Sequence, residues 1–482
     1  MSRSAHMSAA RVLAPLAALV LVLAFAVPAQ TASARAAAPA PQAKAAPALP
    51  AFYTPPSPLP AATPGDIVRT EPVAVSGLHG TLQRVMYHSR SIKGVDIAVT
   101  GYIATPATPA PAGGYPVVSW AHGTTGIADE CAPSLDGNDA TNFNALLDKG
   151  WLVVATDYEG LGTPGRHPYI VGDSEARGVI DIVRAARNLP DTHASTDYVV
   201  WGHSQGGHAA MFSLHIADAW APELHLKGVV AGAPPSQLNL VYDYLVSSPF
   251  RYYLLMVGAA INAAYGDTDA PLGDILNANG IKKIDLVDQG CTGFLGQQTA
   301  GVSVQDLMKK QPDGTYNPYS NPVWGPLIKA QDPQNFSSPA SEPLLIIHGG
   351  NDEQIPTVSS ELLAGQLCAT GQHVQRWVYP GQSHAGVIGP SFADMTTWMS
   401  ARFAGEPDDV QRPSGQIPTG QADVQASVCD PATGTMKSAT ETVPDTTIPD
   451  TTVPDTVAPE LQDPVVQAPP AYAVPGSANY TG

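Results

Sequence analysis

The sequence predicts an α/β fold, a doubly wound and mostly parallel sheet that carries an inserted, largely helical cap. Three observations lead there: short apolar runs recur between amphipathic segments, one run ends in a serine turn flanked by glycines, and the alternation then breaks for roughly 100 residues before it resumes. The runs at 115–121, 151–156, 198–201, 228–231 and 343–348 are continuous rather than alternating. That is the pattern of parallel strands covered on both faces. Helices fit between them: over 174–189, Ala176, Val179, Ile180, Val183 and Ala186 recur at helical spacing, with Asp173 or Ser174 placed to cap the N-terminus.

The serine turn is Trp201-Gly202-His203-Ser204-Gln205-Gly206-Gly207, entered from Tyr198-Val199-Val200 and followed by a helix-like stretch over 208–217. A strand, a G-x-S-x-G turn and a helix in that order form the nucleophile elbow of an α/β-hydrolase sheet, which holds the serine hydroxyl out at the top of the strand. Gly202 and Gly206 flank a turn in which a Cβ at either place would strike the neighbouring strand or helix, and Gly207 relieves the same crowding.

A serine hydroxyl needs a base to take its proton, and the base needs an acid to fix its tautomer and steady its charge. In this fold they follow in the order serine, acid, histidine. Asp352 lies directly after the run ending at His348, and His384 lies in a turn-rich loop after the strand-like 373–379. Glu353 is the rival acid; Asp352 is preferred because it follows its strand after a short glycine turn. For the oxyanion, the backbone N–H of Gln205 is one donor by construction of the elbow, and Gly123 or Thr124, in the loop after the strand ending at Ala121, supplies the second. His122 is expected to shape that loop, and His208, one turn beyond Ser204, to pack within the fold. Asp157 and Glu159 are read as hydrogen-bonding groups of their loop rather than metal ligands, and no metal site is expected.

The break in the strand–helix pattern places a cap insertion at about 236–338. Within it, 250–265 reads equally well as a cap helix facing an acyl-binding pocket or as a plain core helix. The N-terminus has Arg3 and Arg11, an apolar run over 12–27 and the small-residue sequence Ala32-Ser33-Ala34, the three parts of a secretory signal peptide in order. The expected organisation is a signal peptide at 1–34, an Ala/Pro linker at 35–51, the hydrolase domain at 52–429 and a disordered tail at 430–482 containing a Pro-Asp repeat. A net charge of −18 argues against nucleic acid as a partner. In an exported chain, Cys131, Cys291, Cys368 and Cys429 read as two disulfides, with three pairings open.

These motifs, together with Phe52-Tyr53-Thr54-Pro55-Pro56, Pro64-Gly65-Asp66, Cys131-Ala-Pro-Ser134 and Asp157-Tyr-Glu-Gly160, resemble the secretory lipase family of α/β-hydrolases, known from fungal lipase A type enzymes and actinobacterial exported relatives. The resemblance spans about 52–429. It implies hydrolysis of carboxylic esters, a cap over an acyl pocket, no cofactor, and disulfides joining Cys131 with Cys291 and Cys368 with Cys429. The expectation is a secreted, monomeric serine esterase or lipase acting on a lipid or small ester, triacylglycerols among them, with transient contact at a lipid–water interface. A peptidase or acyltransferase on the same fold, and a non-catalytic binding module, are the alternatives.

Overall fold

The structure, a computed structural model, describes residues 49–406 and 424–438. The expected signal peptide, most of the linker and the Pro-Asp repeats lie outside the described residues.

One eleven-stranded sheet organises the chain, in the order β1-β2-β3-β5-β4-β6-β7-β8-β9-β10-β11. Its centre comprises β4 (Tyr115–Ala121), β5 (Leu152–Thr156), β6 (Ala194–His203), β7 (His225–Gly232), β8 (Leu344–Gly349) and β9 (Val374–Tyr379), all mutually parallel. Five of them coincide with the apolar runs and the sixth, β9, with the strand-like 373–379. Successive residues explain why the runs are continuous: Val117, Val154, Val200, Val229 and Ile346 pack into one apolar layer, while Val118, Val153, Val199, Val230 and Ile347 pack into the layer on the other face.

Both edges are antiparallel. On one side stand β1 (Ile67–Val73), β2 (Gly80–Arg90) and β3 (Asp96–Pro106), and on the other β10 (Gln425–Asp430) and β11 (Thr435–Ser438). The sheet therefore runs past the boundary expected at 429, because β11 pairs with β10.

Helices α1 (Gly172–Arg187) and α2 (Gln205–Trp220) cover one face of the sheet. Among the described residues no side chain caps α1: instead of serving as its cap, Ser174 donates its hydroxyl hydrogen to Glu159 Oε2 at 2.5 Å, and Val171 holds the N-cap position. Between β7 and β8 the chain forms α3 (Leu238–Leu245), α4 (Tyr252–Tyr265), α5 (Ala278–Lys283), α6 (Thr292–Gln298) and α7 (Trp324–Ala330). They share an apolar core of their own, which includes Leu255, Met256, Ile275, Val287, Leu295 and Trp324. Helix α8 (Thr357–Ala369) joins the layer of α1 and α2, and α9 (Ile388–Phe403) covers the opposite face.

Two disulfides tie these parts together. Cys131–Cys291 links the segment after β4 to the N-terminus of α6, and Cys368–Cys429 links α8 to β10, with Cα separations of 5.6 and 5.4 Å. These are the pairs the family resemblance implies.

Candidate active site

Ser204 stands between β6 and α2 with φ 60° and ψ −120°, a backbone conformation that side chains rarely adopt. The turn is held from outside, since Ser204 N–H donates to the Gly232 carbonyl at 2.9 Å. It is also as crowded as the sequence suggests: a Cβ on Gly206 would lie 1.8 Å from the Ala121 carbonyl oxygen, and one on Gly202 would lie 2.0 Å from that of Gly206.

Asp352 follows β8 after a glycine turn, and its side chain is fully buried. One oxygen, Oδ1, accepts from the backbone N–H of Gln354 and Ile355 at 2.8 and 2.7 Å. The other, Oδ2, faces two imidazoles: His384 donates to it through Nδ1 at 2.7 Å, and His348 Nε2 lies 3.1 Å away. Burial alone would push this carboxyl up, but the hydrogen bonds from His348 and His384 outweigh it and hold the group well below the usual carboxylate range. Glu353, the rival acid, does not touch the ring. Its carboxylate accepts from the backbone N–H of His384 at 3.0 Å, which pins the loop.

With Nδ1 committed to Asp352, the other nitrogen of His384 presents a lone pair. Nε2 is buried and has no hydrogen-bond partner among the described residues, Ser204 included. The ring lies against His203, the residue before the nucleophile candidate, with centroids 4.7 Å apart. Burial, and next the neighbouring His384, push His203 down to about 3, so it is neutral at physiological pH. The structure thus joins Asp352 to His384 and sets His384 beside the elbow, without a hydrogen bond to the serine hydroxyl.

The oxyanion candidates lie on two elements. Gln205 is the first residue of α2, so its backbone N–H has no acceptor within the helix. Gly123 and Thr124 follow β4 in the loop that starts at His122. Both ring nitrogens of His122 face backbone carbonyls, Gly123 at 2.6 Å and Asp157 at 3.5 Å, and burial pushes it down to about 4. It braces the loop in the neutral form. Thr124 Oγ1 is hydrogen-bonded to the Tyr169 hydroxyl at 3.0 Å.

Asp157 accepts from Thr100 Oγ1 at 2.7 Å, from Ser134 N–H at 2.9 Å and from the Ser134 hydroxyl. That makes it a structural anchor for its loop. No group of three or more His, Cys, Asp or Glu is arranged to hold a metal ion among the described residues. His208 is fully buried, as a packing residue should be, but it is also paired: Nδ1 lies 2.8 Å from Glu175 Oε2, and Nε2 donates to the Gln331 carbonyl at 2.7 Å. Glu175 and His348 are among the groups of this site that sequence reasoning missed. His348 had a signal, since its spacing of four from Asp352 across a glycine turn returns it to the carboxylate.

Ser204 opens onto a narrow cavity lined mainly by aliphatic and aromatic side chains such as Ile170, Leu238, Val241, Leu245, Tyr253, Val257, Ile275, Met308 and Trp324. Most come from the helices between β7 and β8, which form a cap over the elbow. Helix α4, within 250–265, faces two ways: Tyr253, Leu254 and Val257 line the cavity, while Leu255, Met256, Ala259 and Ala260 lie in the apolar core between the helices.

A family model described as secretory lipase matches residues 132–410, more than half of the chain. The chain belongs to the secretory lipase family. It is therefore an ester hydrolase of a secreted family, and none of its described helices is long and apolar enough to cross a membrane. A Mycobacterium tuberculosis protein named a probable inactive lipase is 26% identical over 76% of this chain and 85% of that protein. Lipase A from Moesziomyces aphidis is 26% identical over 69% of this chain and 75% of that protein. Among solved structures, Candida antarctica lipase A in its closed state has a TM-score of 0.66 at 20% identity, covering 77% of this chain and 91% of that one. The rice cell wall degrading esterase LipA from Xanthomonas oryzae has a TM-score of 0.58 at 20% identity, covering 71% and 97%. The last two likenesses show the α/β-hydrolase fold.

Proposed function

We propose that this secreted esterase or lipase cleaves carboxylic esters, triacylglycerols among them, through an acyl-enzyme on Ser204. His384 takes the serine proton and then delivers it to the leaving alcohol, while Asp352 holds the imidazole in the Nδ1–H tautomer and steadies its charge. The negative oxygen of the tetrahedral intermediate is met by the backbone N–H of Gln205 and that of Gly123 or Thr124. A water then repeats the sequence on the acyl-enzyme with His384 again as base.

One observation carries this reading. His384 has Nδ1 bonded to Asp352 and a buried Nε2 with no partner among the described residues, and its ring lies against the residue before a strained serine that opens onto an apolar cavity. A base of this kind has its acid in place and its acceptor nitrogen free, and catalytic hydrogen bonds to the nucleophile commonly form only once substrate is bound. The apolar lining supports an acyl chain rather than a peptide terminus as the occupant. Export through the N-terminal signal, a monomeric state and transient contact with a lipid–water interface belong to the same proposal.

The test is Ser204→Ala, assayed against p-nitrophenyl esters of increasing chain length and an emulsified triglyceride. Loss of hydrolysis on every substrate, with the fold intact by circular dichroism, is expected; retained hydrolysis would refute the assignment. The relative named a probable inactive lipase motivates a second reading, a silent binding module. Wild-type protein inert towards the whole ester series would favour it.

A further inference from the structure

The fully buried carboxylate of Glu175, in the first turn of α1, is used by three different segments at once. Oε1 accepts from Gln205 Nε2 and from the backbone N–H of Ile170, both at 2.9 Å, and Oε2 is bonded to His208 Nδ1 at 2.8 Å. The second hydrogen of the Gln205 amide goes to His167 Nε2 at 2.7 Å, and His167 is itself fixed because its Nδ1 donates to the Glu159 carbonyl at 2.8 Å. Gln205 Oε1 is buried with no partner among the described residues, so the side chain is anchored only through its nitrogen. On the other wall, the residue before Ile170 is Tyr169, whose hydroxyl reaches Thr124. Ile170 itself is held at φ 58°, a conformation that its bond to Glu175 helps to maintain.

We infer that Glu175 is a positioning residue for the oxyanion hole, acting through the Gln205 side chain on one wall and through Tyr169 and Thr124 on the other. The inference rests on the triad reading above. Donors aimed at an oxyanion act in the transition state and not in the ground state, so loosening them lowers kcat and leaves KM in place. A misplacement near 1 Å at a reacting centre costs on the order of 10²-fold.

Three variants test it. Glu175→Ala removes the hub, and kcat should fall by on the order of 10²-fold with KM near wild type. Glu175→Gln should rescue most of that loss, because its oxygen can accept from Ile170 and Gln205 while its amide donates to His208 Nδ1, leaving Nε2–H for the Gln331 carbonyl. Tyr169→Phe keeps the ring and deletes only the hydroxyl on Thr124, so a smaller fall in kcat is expected, again without a change in KM. The inference is overturned if Glu175→Ala keeps wild-type kcat, if the loss lies in KM, or if Glu175→Gln is as impaired as Glu175→Ala. Should Glu175→Ala fail to fold, Tyr169→Phe decides. Ser204→Ala, run alongside, separates the two levels: an active Ser204→Ala enzyme removes the triad, whereas an inactive one beside unchanged Glu175 and Tyr169 variants removes only the positioning role.

Discussion

Replacing Gly206 by Ala probes the elbow where it is tightest. The added Cβ would lie 1.8 Å from the Ala121 carbonyl oxygen and 2.9 Å from that of His122, so β4 and α2 must separate by about 1.2 Å to reach the shortest contact real side chains tolerate. Ala121 ends β4 and leads into Gly123 and Thr124, while Gln205 is the neighbour of the substituted residue. The separation therefore pulls the two sets of proposed oxyanion donors apart. A shift of that size lowers kcat by on the order of 10²-fold, with KM nearly unchanged, and the overpacking costs about 1–3 kcal/mol of stability. Steady-state kinetics on a soluble ester and urea unfolding measure the two effects. Gly365→Ala is the control: it lies inside α8 with nothing within 4 Å of the new methyl, so it should stabilise by about 0.5–1 kcal/mol and leave kcat alone. A Gly206→Ala enzyme with kcat within about threefold of wild type would refute the reasoning, since the hole would then tolerate a displacement that removes most of a donor's effect.

Asp352→Asn should cost about 10⁴-fold in kcat by offering His384 the wrong tautomer, whereas Glu353→Gln, which keeps an acceptor for the His384 backbone, should cost far less; equal losses would reopen the choice of acid. Reducing Cys368–Cys429 releases a loop spanning 61 positions that fastens β10 to α8, and a Cys368→Ser/Cys429→Ser double variant should lose about 4 kcal/mol in urea unfolding at pH 7. An unchanged midpoint would contradict that. For pH, His203 is held near 3 in the folded state against about 6.5 unfolded, so the unfolded chain binds the extra proton and stability falls as pH drops below 6.5. His203→Gln should therefore lose about 2 kcal/mol less than wild type between pH 6.5 and 5, and parallel pH profiles would show that the ring is not held neutral.

The parallel centre of the sheet was legible because each strand is apolar on both faces, and the elbow because its glycines have a steric reason that the close approaches of Gly202 and Gly206 bear out. The antiparallel edge strands were not. In β2, the polar Arg84 and His88 interrupt any apolar pattern, yet they are buried and satisfied across the fold: Arg84 donates to the Ser134 carbonyl and to Glu71, and His88 Nδ1 pairs with Asp96. Gly101, in the middle of β3, looks like a strand breaker, but a Cβ there would lie 2.3 Å from the Ala155 carbonyl, so it permits the close approach of β5. In the four residues of β11 only Met436 is apolar, too little to mark a strand in sequence, and the strand forms by pairing with the disulfide-anchored β10.

Within the site, the preference for Asp352 as the partner of the His384 ring was readable: the ring donates to Asp352, while Glu353 accepts from the His384 backbone. Glu175 was not. An acid in the first turn of a helix is ordinary there on electrostatic grounds, and only the packing of α1 against α2 and the loop before it turns that carboxylate into a hub.

The proposed triad is tested most directly by treating the wild-type protein with a fluorophosphonate and locating the adduct by peptide mass spectrometry. A single phosphonyl group on Ser204, absent in Ser204→Ala and formed far more slowly in His384→Ala, is the predicted result. Ester hydrolysis without any adduct at Ser204, or with the adduct on another serine, would contradict it.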